Sequence, residues 1–286
     1  MTLLFLPLLL AQVGPNATFA LDPTTQVPPE MVEQRRMRET PRITLSPILT
    51  PTPGAGCVDT VTADPSGSAV AAQAALGRAT GDERVRAGMC LGVALGQLDR
   101  WSEARAAFIA ARDAASNTDH ATRARLGAMA GNAALAEGKA AEALPTLIAA
   151  QSAATAAGDK DLAGSIAVDR GRALVALARN EDAAAALAEA RTAAPDNAQA
   201  WLLSATLSRR MSRLDEAQQQ IETAARLQPG DADTGLEAGV IAMLAGREDA
   251  ARRSWQSVLS LAPGSPGAAT AKGYLDQLGP EEAAKP

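Results

Sequence analysis

Aromatic residues are nearly missing from this 286-residue chain, where Phe, Trp and Tyr together make up 2%. An ordinary enzyme core leans on such large side chains, so the interior here must be assembled differently. Histidine occurs once, at His120, and neither cysteine lies near it in sequence. A metal site or a catalytic dyad needs partners, so His120 reads as an exposed residue near a helix start. There is no glycine-rich phosphate loop, no helical histidine pair for zinc and no nucleophile-elbow serine. Asp231, Asp233 and Glu237 alternate with Gly235 but lack the full ligand set of a calcium loop, and they read as charges at a helix start. No catalytic residue, no metal and no cofactor is expected. The formal net charge of -5 gives no general electrostatic reason to expect nucleic-acid binding.

Long apolar runs are equally scarce. Leu3 to Ala11 is one, far too short to span a bilayer but of the length of the apolar core of a secretory signal, so no stable membrane span is expected. Residues 1–11 are therefore expected to form a signal peptide, with cleavage after Ala11 or as late as Ala20. A frayed apolar terminus is the alternative. Residues 12–56 hold Pro15, Pro23, Pro28, Pro29, Pro41, Pro47, Pro51 and Pro53, a density that rules out continuous helix and favours an extended, solvated linker. Within it Glu30 to Glu39 forms an island of mixed charge.

What the chain does have is self-similarity. Ala104, Ala143, Ala183, Ala217 and Ala251 share one local frame. Twelve residues before them stand Gly92, Gly131, Gly171, Ala205 and Gly239, and four after them Phe108, Leu147, Leu187, Ile221 and Trp255. Pro195, Pro229 and Pro263 close the last three units, and these repeat every 34 residues, whereas the first two spacings are 39 and 40. Apolar positions at spacings of three and four on either side of a tight connection predict two helices per unit. Neither is long enough to stand alone in water, so each unit depends on its neighbours. The small residue at the anchor and the one twelve before it are expected where the two helices cross. Alanine favours helix, though each buried methyl contributes only about 0.8 kcal/mol.

In the stretches Cys90 to Phe108 (CLGVALGQLDRWSEARAAF) and Ala200 to Pro229, with Trp201 near its start and a closing proline, the chain resembles the tetratricopeptide repeat family. The resemblance covers residues 85–263, five repeats. It implies an all-α, right-handed superhelical solenoid of antiparallel helix pairs. The first helix of each pair would line a concave surface that binds peptides or proteins. A partial repeat over 57–84, a capping helix over 264–279 and a tail over 280–286 complete the expected order of parts.

The helical frame and the resemblance together place Arg86, Arg125, Asn132, Asp169, Arg172, Gln199, Thr206, Arg209, Arg210, Asp233 and Glu237 on the concave side. The partner-binding residues expected from this set are Arg86, Arg125, Asn132, Arg172, Gln199, Arg209 and Arg210. Arginine pairs bidentately with carboxylates, so an acidic peptide or protein segment is the expected partner. Cys57 and Cys90 fall on first helices of adjacent units at similar heights. Adjacent first helices pack side by side in the family's architecture, which makes a Cys57–Cys90 disulfide the expectation for an exported, periplasmic or secreted chain. Two buried thiols in a reducing compartment are the alternative. The function expected is a non-catalytic protein-interaction scaffold. The alternative is a structural component acting through self-association or within an envelope complex.

Overall fold

Short helices that cannot persist singly must stack, and the described residues form little else. The computed structural model describes residues 58–279, and among these there are thirteen helices and no strand. A short helix, α1 (Val58–Ala63), and α2 (Pro65–Leu76) precede the first full repeat. Five helix pairs follow. They are α3 (Gly81–Gln97) with α4 (Trp101–Ala114), α5 (His120–Ala136) with α6 (Ala140–Ala156), and α7 (Lys160–Ala176) with α8 (Asn180–Ala193). After them come α9 (Ala198–Arg210) with α10 (Leu214–Leu227), and α11 (Ala232–Leu244) with α12 (Glu248–Leu261). A last helix, α13 (Pro266–Leu278), packs on the final pair, so the chain forms an all-α solenoid of antiparallel pairs.

The turn inside every repeat has one construction. Asp99, Gly138, Ala178, Ser212 and Gly246 stand five residues before the anchor alanines, and all five have positive φ, between 56° and 77°. In the first repeat Asp99 N–H donates to Gly96 O at 3.1 Å and Arg100 N–H to Leu95 O at 2.9 Å, and the same pair of bonds recurs in the other four. This is the Schellman closure, which satisfies the last carbonyls of a helix through a left-handed residue. Only two of the five positions are glycine. Ala178, at φ 58°, accepts a conformation that its Cβ disfavours. Ala178→Gly is therefore expected to raise stability by about 0.5–1 kcal/mol, whereas Ala185→Gly, inside α8, should lower it by about as much. Urea midpoints of the two variants, moving in opposite directions, check this.

Four of the five first helices, all but α3, open with side-chain caps. Asp119, Asp159, Asn197 and Asp231 accept from the backbone N–H three residues on, at 2.8–3.3 Å, and Ser265 does the same for α13. His120 is the exposed first residue of α5. Pro145 lies in the second turn of α6, deeper than a helix start where the amide is spare, so its ring removes one bond of the helical ladder.

The core is a ladder of small and large residues. The anchor alanines are fully buried, and Phe108, Leu147, Leu187, Ile221 and Trp255 are all within 4% exposure. A Cβ added to Gly92 would lie 2.4 Å from Phe108, one on Gly131 2.5 Å from Leu147, and one on Gly171 2.9 Å from Leu187. The glycine thus faces the large residue four after the anchor, rather than the anchor itself, and the lost side chain on one helix admits the ring or branch of the other. At the far end Arg252 donates to Leu278 O and Gly279 O at 3.1 and 2.8 Å, capping α13 from the neighbouring helix. Cys90 is partly buried in the first core cluster, and Cys57 lies outside the described residues, as do the signal, the linker and the tail.

Candidate partner-binding face

The first helices stack in a row, α5 against α7, α7 against α9 and α9 against α11. They carry the side chains that the sequence assigned to a groove, some exposed and some buried. Two buried carboxylates organise it. Asp169 on α7 and Glu237 on α11 occupy one place in the frame, fourteen residues before Ala183 and Ala251, and both are buried.

Asp169 accepts from Asn132 Nδ2 on α5 at 2.9 Å and from Arg172 Nη1 at 2.8 Å. Burial pushes its carboxyl above the usual carboxylate range, against the opposing pull of Arg172 and Asn132. Arg172 is thereby held by one nitrogen while 39% of its side chain faces solvent. Arg209 is the opposite case. Its Nε donates to Glu237 Oε1 at 2.6 Å and its Nη2 reaches Oε2 at 3.5 Å, with 13% of the arginine side chain exposed. The pair joins α9 to α11 and leaves little of the guanidinium to bind anything else. Beside it Ser208 donates to Gln220 at 2.9 Å, a buried polar contact between the two helices of one repeat.

No family model matches the chain, and no curated protein does. Solved structures do. The structure of YrrB, described as a tetratricopeptide-repeat protein with an unusual peptide-binding site, superposes with a TM-score of 0.50 at 21% identity over 72% of this chain and 99% of that one. PilF of Pseudomonas aeruginosa gives 0.58 at 15% identity, over 75% and 91% of the two chains. BtubC (BKLC) from P. vanneervenii gives 0.60 at 16%, over 80% and 96%. The chain has the tetratricopeptide-repeat fold.

The residues expected to bind a partner divide into two kinds along the row of first helices. Arg86, Gln199 and Arg210 are exposed. Arg125 is half exposed, 3.6 Å from Asp159. Asn132 and Arg209 are consumed in bonds between repeats, and Arg172 stands between the two kinds. Sequence spacing gave no warning of this, because an inward frame position does not say whether the next repeat supplies a counter-charge. The one legible signal was the recurrence of an acid at the same frame position in the third and fifth repeats.

The opposite side carries a second hollow, of about 190 Å³, between α6, α7 and α8. Leu144, Ile148 and Leu174 form its apolar wall, and Arg170, paired with Glu189 at 2.8 Å, its rim. Among the described residues no group of three His, Cys, Asp or Glu is placed to hold a metal ion, and no helix is long and apolar enough to cross a membrane.

Proposed function

We propose that this chain is a non-catalytic scaffold that takes an acidic segment of a partner protein along the row of first helices. Arg172 carries the reading. A buried carboxylate holds one of its nitrogens while 39% of the side chain stays exposed, so a ligand carboxylate would meet an arginine whose side-chain freedom is already restricted. Exposed Arg86, Arg125 and Arg210 extend positive charge along the same row. The likeness to YrrB supports the reading at the level of fold alone.

Fluorescence anisotropy with a labelled hexaglutamate peptide, against hexalysine as control, tests it. Asp169→Asn combined with Arg172→Gln removes the cation together with its buried counter-ion. The double variant should keep the fold and weaken hexaglutamate binding about tenfold, near 1.4 kcal/mol. Equal affinity for both peptides, or an unchanged affinity in the variant, removes the groove from the function.

Export belongs to the same proposal and rests on the Leu3–Ala11 run. A fusion of residues 1–56 to alkaline phosphatase that stays inactive in cells refutes it. In an oxidising compartment the Cys57–Cys90 pair would join the first repeat to the helix before it. Self-association is favoured by one observation: α2 carries no charged residue, and Val70 on it is 72% exposed. Light scattering of Val70→Lys beside the natural chain separates that reading from the first.

A further inference from the structure

The joints between repeats are not alike. Where α5 meets α7, Asn132 bonds Asp169 across the row of first helices, and where α9 meets α11, Arg209 bonds Glu237. Both acceptors stand fourteen residues before the anchor. In the second and fourth repeats that place holds Met129 and Leu203, which have no charge to offer the preceding repeat. Among the described residues no hydrogen bond or ion pair joins α3 to α5 or α7 to α9. Of the neighbouring first helices α3 and α5 also touch least, whereas α7 and α9 approach each other as closely as α9 and α11, so at that joint the difference lies in the missing polar bond.

The side of the second helices differs. There the unlatched joints do have cross-links, Arg105 with Glu142 between the first and second repeats and Arg213 with Glu181, at 2.6 Å, between the third and fourth. Arg191 also lies 5.1 Å from the ring centroid of Trp201, across the contact of α8 with α9. Each unlatched joint is thus tied by polar bonds on one side and held only by apolar packing on the other, which is non-directional and lets the helices roll as at a hinge. The latched joints are tied on both, since Gln151 bonds Glu189 at 3.2 Å and Arg247 bonds Gln218 at 2.6 Å.

We propose that repeats two with three and four with five are rigid blocks, that the array flexes at the α3/α5 and α7/α9 joints, and that an acidic segment lying across α7 and α9 closes the second hinge. The ligand part rests on the groove reading above. Arg172 stands on α7, and Gln199 and Arg210 on α9, so carboxylates held by both helices supply the link that Leu203 does not. The ligand takes the place of the missing latch, and a partner with acids spaced over two repeats binds better than one whose acids reach only one.

Double electron–electron resonance with genetically encoded labels, which leaves both cysteines native, reads the hinge. Labels at the exposed positions Ala149 on α6 and Ala225 on α10 span the free α7/α9 joint, while Ala225 and Gln277 on α13 span the latched one. Without ligand the first distance distribution should be about twofold broader than the second. Val175→Arg with Leu203→Glu copies the Arg209–Glu237 pair into the α7/α9 joint and should narrow it. Arg209→Met with Glu237→Leu exchanges a directional bond for apolar packing and should broaden the second even where overall stability is kept or raised. Equal widths in the unliganded natural chain overturn the hinge, whatever the variants do. Hexaglutamate should narrow the Ala149–Ala225 distribution and leave Ala225–Gln277 unchanged. Binding without narrowing overturns the closure alone, and absence of binding removes the groove reading and the closure together while the unliganded widths still judge the hinge.

Discussion

Arg209→Ala should destabilise the carboxyl-terminal repeats by about 3–5 kcal/mol, the range for removing one partner of a buried ion pair. Glu237 has no solvent exposure, and Arg209 reaches it through two nitrogens. Without this arginine the carboxylate loses its hydrogen-bonded counter-charge in a site closed to water, and staying charged there or taking up a proton is costly. The loss should not be a measure of what the pair contributes. Arg209→Met with Glu237→Leu removes both charges and their desolvation, and is expected to be neutral or stabilising by up to about 4 kcal/mol. Urea denaturation followed by circular dichroism measures both. A double variant as unstable as Arg209→Ala would show that the ion pair itself, and not the stranded carboxylate, sets the cost.

This outcome changes how the groove is tested. Arg209 looks from the sequence like a cation offered to a ligand, and reversing its charge looks like a binding experiment. In the folded chain Arg209→Glu sets two carboxylates against each other in a nearly closed site, and loss of binding would report a damaged joint. Arg125 and Arg210, exposed on the same row, are the positions where charge reversal reads binding.

The helices, their pairing and their order were legible because they follow from periodicity: apolar residues at three and four, a small residue at each crossing, and polar caps before four of the five first helices. Asn197 and Asp231, each two residues after a unit-closing proline, cap the helices that follow. The left-handed turn residue was less visible. Gly138 and Gly246 announce it, but Asp99, Ala178 and Ser212 fill the same place with side chains that give no such signal, and tertiary packing imposes the conformation. The groove was legible as a set of positions and not as a set of free groups. How far Arg209 faces solvent depends on Glu237, 28 positions away in the next repeat, and Arg172 is held by Asp169, three away, which Asn132 of the preceding repeat also engages. Nothing in a single repeat encodes that.

Trp255→Ala should be comparably costly, about 3–5 kcal/mol for a buried tryptophan. The indole is 2% exposed, donates to Leu236 O at 3.2 Å and lies 4.8 Å from the Tyr274 ring on α13, so one side chain ties the last full repeat to the closing helix. The closing helix shields the end of the solenoid, and fraying should therefore begin there, seen as faster amide exchange in α13 than in α7. Its counterpart is Gly239. A Cβ at that position would stand 2.1 Å from Trp255 Nε1, and the indole, held by Leu236 and Tyr274, has little freedom to give way. Gly239→Ala is expected to cost about 1–3 kcal/mol by overpacking. The fourth repeat shows the other solution to the same crossing, with Ala205 and Ile221 buried in one cluster. Gly239→Ala with Trp255→Ile transplants that pair. If small and large residues are matched across the crossing, the double variant should be less damaged than the sum of its singles by about 1 kcal/mol or more. Strict additivity in urea midpoints would mean that the glycine and the tryptophan are set independently, and that the recurring small–large frame is not a packing code.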